Sequence, residues 1–137
     1  MWLNPEFTNL KIYPFFSLFF TNIWVVGIIN AFNWLDGLDG LATGITLITS
    51  IGLMFISFSI DAGDSLFLIF SLIGTCLGFL IYNYNPAKIF MGDGGSYLMG
   101  SLMAFLSIYV YNSALSNGKS SIDLISILLI LFVPLFD

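Results

Sequence analysis

Five apolar runs follow one another along 137 residues, and they leave little choice of fold. They extend from Pro14 to Asn30, Leu41 to Ile60, Ser65 to Tyr82, Tyr97 to Tyr111 and Ile122 to Phe136. A helix crosses the hydrocarbon of a bilayer with about 20 mostly apolar residues; the last two runs are shorter. Five such runs cannot all be core helices of one small globular domain, so the solvent for most of this surface is lipid. The chain is 58% hydrophobic and 8% charged, where a soluble domain is nearer a quarter charged. The expectation is an all-α, polytopic integral membrane helical bundle of about five transmembrane helices, with residues 1–137 forming a single membrane domain.

Several chemistries are excluded at once. There is no histidine, so no imidazole can ligate a metal or act as a base here. The lone Cys76 lies in an apolar run and reads as a buried, inert thiol, and no disulfide framework is available. A net charge of −5 argues against electrostatic capture of nucleic acid. The first run is not a convincing signal peptide, since one lysine precedes it and no small-residue cleavage site follows.

The connections alternate in character. NWLDGLDG and YNYNPAKIFMGDGGS are rich in acids, amides and glycines, whereas DAGD (Asp61 to Asp64) and NSALSNGKSS look like ordinary polar turns. With five spans, both rich loops fall on one side and both plain loops on the other. Asp137 returns to the rich side. Lysine distribution should orient the bundle, but Lys88 stands against Lys11 and Lys119, and three lysines do not decide it.

In the first rich loop Asn30, Asn33, Asp36 and Asp39 recur every third residue. Neighbours three apart share a helix face, yet each step of three drifts backward, so all four cannot stay on one face. Asn30 and Asn33 are expected to end the first helix, Asp36 to sit at its tip, and Asp39 to begin the next element, with Gly37 and Gly40 allowing the turn. Asp-Gly pairs are also plain turn formers. Ionisable residues at membrane depth, however, default to a functional reading. Clustered carboxylates repel one another. A divalent cation resolves that conflict, and hard oxygen ligands suit magnesium.

In the second rich loop, Pro86 to Gly100, Pro86 redirects the chain, and Gly92, Gly94 and Gly95 surround Asp93 with bare backbone amides. Ser96 is expected to cap the fourth span. A helix start of this kind suits a phosphate and is equally a simple loop-to-helix cap. Lys88 could meet a phosphate or snorkel to the interface. Asp61 and Asp64 read as solvated turn residues, Asp123 as the opening of the fifth span, and the Gly74/Gly78 pair as a helix-packing motif.

At these residues a family comes into view. NAFNWLDGLDGLATG resembles the N-x-x-N-x-x-D-G-x-D-G-L-A motif of the polyprenyl-phosphate N-acetylhexosamine-1-phosphate transferases, the group that includes MraY, WecA and TagO. PAKIFMGDGGSYLMG resembles their P-A-x-x-F-M-G-D-x-G-S motif, and VPLFD (Val133 to Asp137) a later signature. Lys88 looks more like the WecA side of the family, and Gly94 stands where the family varies. The resemblance implies a multi-pass enzyme of the bacterial plasma membrane. It would transfer a sugar-1-phosphate from a UDP-N-acetylhexosamine to undecaprenyl phosphate at the cytoplasmic face and release UMP, in cell-wall or lipopolysaccharide synthesis. Membrane lipid and a second copy of the chain, as a homodimer, complete the partners. The implied cofactor is magnesium, with manganese able to substitute. By carry-over Asp93 and Asn33 lie at the metal, Asp36, Asp39 and Asp93 are the catalytic acids, and Asn30, Asn33, Lys88, Gly94 and Ser96 contact substrate. Two family features have no counterpart among these residues: an upstream pair of adjacent aspartates and a downstream loop rich in histidine or arginine.

Two other readings compete. A cation-coupled transporter would bind its ion with such carboxylates, near the bilayer midplane. A non-catalytic membrane fragment would need no chemistry at all. The chain is read as the middle of a longer enzyme, so the isolated 137 residues are expected to be inactive. Transfer of labelled sugar phosphate into lipid by the purified chain alone would contradict that.

Overall fold

The computed structural model describes residues 14–118 and 126–127. Among the described residues four helices follow in order: α1 (Pro14–Leu35), α2 (Leu41–Ser59), α3 (Gly63–Asn83) and α4 (Gly92–Ser116). All four are long and apolar enough to cross a membrane, and no strand occurs among the described residues. Lipid offers no partner for a bare peptide group, so a spanning segment must close its own hydrogen bonds, which helices do. Hydroxyls inside α2 obey the same rule. Thr46 donates to the Ala42 carbonyl at 2.7 Å and Thr49 to that of Ile45 at 2.8 Å. The fifth apolar run, Ile122 to Phe136, lies outside the described residues apart from two helical positions, of which Ile127 is buried.

Hydropathy located the spans but misplaced their ends. Helix α1 continues five residues beyond Asn30, and α4 starts five before Tyr97 and runs five past Tyr111. The extra turns carry Asn33, Asp93 and Ser96, whose polar side chains face one another rather than lipid. Ser96 is therefore an interior helical residue, not a cap; its hydroxyl donates to the Asp93 carbonyl one turn back at 3.1 Å.

The bundle is two antiparallel pairs. α1 packs chiefly on α4 and α2 chiefly on α3, while α2 also touches α4. The α1–α4 seam is the tighter approach. A Cβ added at Gly100 would lie 2.8 Å from the Ile29 Cα and 3.2 Å from the Phe32 Cβ, so only glycine lets the two backbones come this close. Deeper in the membrane the Trp24 indole N–H donates to the Ser107 hydroxyl at 3.0 Å. Near the other end of the seam Asn33 donates to Ser96 at 3.0 Å. Buried Ala104 and Ala114 continue the small-residue stripe of α4. Gly74 and Gly78, by contrast, are exposed on α3, and an added Cβ would meet nothing described within 4 Å. Among the described residues the close packing falls on Gly100 instead.

Pairing of this kind brings the α1–α2 and α3–α4 connections together at one end, as span parity required. The Asp39 carboxylate receives the Asn85 amide across them at 3.2 Å. At the opposite end the Asn117 amide donates to the Ile60 carbonyl.

Replacing Gly100 by alanine should destabilise the bundle by about 1–3 kcal/mol, the usual cost of forcing volume into a packed contact, whereas Gly74→Ala and Gly78→Ala should change little. Reversible unfolding in mixed micelles measures all three, and equal effects would show that the seam is not the tight contact.

Candidate functional site at one end of the bundle

The site forms where α1 stops and α4 starts. Asn33 is in the last turn of α1, and its amide N–H groups reach the Ser96 hydroxyl at 3.0 Å and the Asp93 carboxylate at 3.4 Å. Asp36 is the first residue past α1 and is partly buried. The Gly92 backbone N–H favours the ionised form of the Asp36 carboxylate, and the charge of Asp93 disfavours it. Two acids from distant parts of the sequence thus share one small volume.

The electrostatics explain how they are tolerated without a neighbouring cation. Burial is the main influence raising the Asp36 pKa above the ordinary carboxylate value, and repulsion from Asp93 adds to it; the Gly92 N–H opposes both. The first turn of α4 presents unpaired N–H groups and the positive end of its dipole. Asp93 lies in that first turn. The helix start therefore offsets part of the repulsion, and the rest persists. Among the described residues no ion pair relieves it, and Lys88, the one described lysine, is exposed.

Asp39 behaves differently. Its Oδ2 accepts the Asn85 side-chain amide at 3.2 Å and the Ala87 backbone N–H at 3.1 Å. That carboxylate holds the loop before α4. Asp36, Asp39 and Asp93 do not form a three-acid cluster; no group of three or more histidine, cysteine, aspartate or glutamate residues able to hold a metal occurs among the described residues. Asn30 is exposed and donates to the Val26 carbonyl of its own helix at 2.9 Å. Gly94 is exposed in the first turn of α4.

One residue had no signal in the sequence that set it apart. Asn83 ends α3 and is 4% exposed. Its Oδ1 accepts the Gly40 N–H and the Thr43 hydroxyl, both at 3.1 Å, and its Nδ2 donates to the Ile89 carbonyl at 3.0 Å. In YNYNP it is an amide three residues before Pro86, and nothing in the sequence marks it as buried. Only the fold buries it. Gly40, its partner, has φ of 73°, a left-handed conformation that glycine adopts without strain.

The set Asn33, Asp36, Asp93 and Ser96 can be tested against magnesium. All donors are oxygen, and the Asn33 Oδ1 receives no hydrogen bond among the described residues. Two coupled carboxylates are an incomplete cage. Magnesium keeps several waters and takes one or two carboxylates plus substrate phosphates, so the set fits that ion better than it would fit one needing a full protein shell.

Residues 2–111 match the family described as Glycosyl transferase family 4. The chain is similar to the "Phospho-N-acetylmuramoyl-pentapeptide-transferase" of Listeria monocytogenes, 43% identical over 110 residues, which are 80% of this chain and 34% of that protein. It is as similar to the "Probable undecaprenyl-phosphate N-acetylglucosaminyl 1-phosphate transferase" of Bacillus subtilis, 44% identical over 121 residues, 85% of this chain and 32% of that protein. The transferase of Staphylococcus haemolyticus bearing the first name is 45% identical over 107 residues. The chain spans about a third of the length of these curated relatives.

The raised pKa of Asp36 has a testable sign. A fold that raises an acid's pKa penalises its ionised form. The penalty is absent below the unfolded pKa, grows as pH rises through the interval up to the folded pKa, and is complete above it. Asp36→Asn should therefore raise the melting temperature of the metal-free protein at pH 7, and the gain should vanish below about pH 4. Thermal scans in chelator at both pH values check this.

Proposed function

The chain belongs to glycosyl transferase family 4, and from that premise we propose that it forms part of the active site of a multi-pass bacterial membrane enzyme moving sugar-1-phosphate onto a lipid phosphate. The donor is a UDP-linked N-acetylhexosamine, the acceptor undecaprenyl phosphate, and the site faces the cytoplasm. The observation that carries this reading is the meeting of Asn33, Asp36 and Asp93 at one end of the bundle. Relatives named for two different sugars are equally similar. The WecA-like preference suggested by Lys88 thus stands on that one residue.

Both substrates are anions and the described site is acidic, so direct approach is repulsive. Magnesium, or manganese in its place, would be held by Asp93 and Asn33 with Asp36 beside them; when bound it supplies positive charge against the pyrophosphate and the departing nucleotide. The chain's own groups do the positioning. Asn33 orients the Asp93 carboxylate, and Ser96 receives the second amide N–H of Asn33 and so fixes that side chain. The first-turn N–H groups at Gly94 and Gly95 suit a phosphate oxygen. Lys88, exposed on the same side, suits a second one. In the transfer, an oxygen of the lipid phosphate bonds to the β-phosphorus while the bond from that phosphorus to the bridging oxygen breaks. UMP leaves with the electron pair.

A transporter is disfavoured by position. Asp36 follows the end of α1 and Asp93 is the second residue of α4, whereas transporters bind ions near the midplane.

Manganese titration followed by electron paramagnetic resonance should show one site on the purified chain that Asp93→Asn removes. Placed in the Bacillus relative in exchange for the segment they match, residues 2–111 should support transfer, and Asp93→Asn there should lower the rate by more than about 100-fold, since loss of outer-shell partners alone costs roughly 10- to 100-fold. Unchanged manganese affinity and unchanged transfer in that variant would refute the assignment.

A further inference from the structure

The residue that ties both acid-bearing loops into one body is the buried amide of Asn83. The last turn of α3 is followed by a loop that folds back on it: the backbone N–H groups of Lys88 and Ile89 both point to the Tyr82 carbonyl, at 2.8 and 3.4 Å. Asn83 sits inside that closure. One end of its amide holds the start of α2 through Gly40 and Thr43, and the other holds the loop before α4 through the Ile89 carbonyl. Gly40 is four residues past Asp36, and Ile89 is four before Asp93. Direct backbone hydrogen bonds between the two loops are otherwise absent among the described residues. Asp39 supplies the second tie, through Asn85 and Ala87. Within the approach that the α1–α4 seam allows, a brace of this kind fixes how the two loops stand relative to each other. Coulomb energy between partly buried groups varies steeply with their separation.

We propose that Asn83 is a positioning residue whose side-chain amide, bridging Gly40 and Thr43 to Ile89, sets the separation of the Asp36 loop from the Asp93 loop. Its consequence for metal affinity rests on the function proposed above; the geometric claim does not.

Spin labels at Leu38→Cys and Phe90→Cys, both exposed positions, in a Cys76→Ser background, report that separation directly by pulsed electron resonance. Asn83→Ala should at least double the width of the distance distribution. Asn83→Asp keeps the acceptor for Gly40 and Thr43 but lacks the donor to Ile89, and it should broaden the distribution as alanine does. Thr43→Val should leave it narrow. If Asn83 only capped α2, Asp would restore the narrow distribution, and that result overturns the proposal. Should the Asn83 variants lose helical circular dichroism, amide exchange in the labelled wild-type protein decides instead: slow exchange at the Asn83 side chain and the Gly40 N–H is expected, and fast exchange at both overturns it. Manganese titration separates the two readings. Asn83→Ala should weaken binding about tenfold, whereas wild-type affinity in Asp93→Asn would sink the metal site and leave the distance measurement to judge the brace.

Discussion

The close approach of α1 to α4 is the constraint on which the rest of the molecule depends. Gly100 permits it, because any Cβ there would strike the Ile29 backbone. Trp24 and Ser107 hold it within the membrane, and Asn33 with Ser96 holds it at the surface. Only then does the tip of α1 reach the first turn of α4, so that Asp36 comes under the influence of the Gly92 N–H and of the Asp93 charge. The seam is a packing feature with an electrostatic result. It forces together two acids that water and lipid would each prefer to keep apart.

That repulsion is what makes the site chemically plausible as more than a turn. A helix start can carry one carboxylate comfortably. A second one, raised in pKa by burial and by its neighbour, is held in an unfavourable state, and acids perturbed in this way cluster at functional sites. Family membership and the oxygen-only donor set point the same way. Asp39 shows that acidity alone is not the criterion: it belongs to the same motif, yet both of its contacts are structural ties to the loop before α4.

Much of this was legible in advance, and for physical reasons. Apolar run length dictates spanning helices, and counting spans placed both rich loops on one end, as the Asp39–Asn85 contact bears out. Helix ends were less legible. Hydropathy stops at the first polar side chain, but the backbone continues its hydrogen bonds through Asn33 and begins them at Gly92, because those side chains have partners across the seam. Gly74 and Gly78 carried the better-known packing pattern, yet among the described residues the close contact falls on Gly100, since a spacing rule cannot say which face meets a neighbour. Asn83 was silent for the same reason. Its partners are distant in sequence, and its burial is a property of the assembled bundle.

The account stands or falls on whether the acids from the end of α1 and the start of α4 serve one ion. Crystals of the protein soaked in manganese and measured for anomalous scattering address that most directly. A single peak within coordination distance of Asp93, beside Asn33 and Asp36, is the predicted result. A peak at Asp39 or at the opposite end of the bundle, with none beside Asp93, would contradict it.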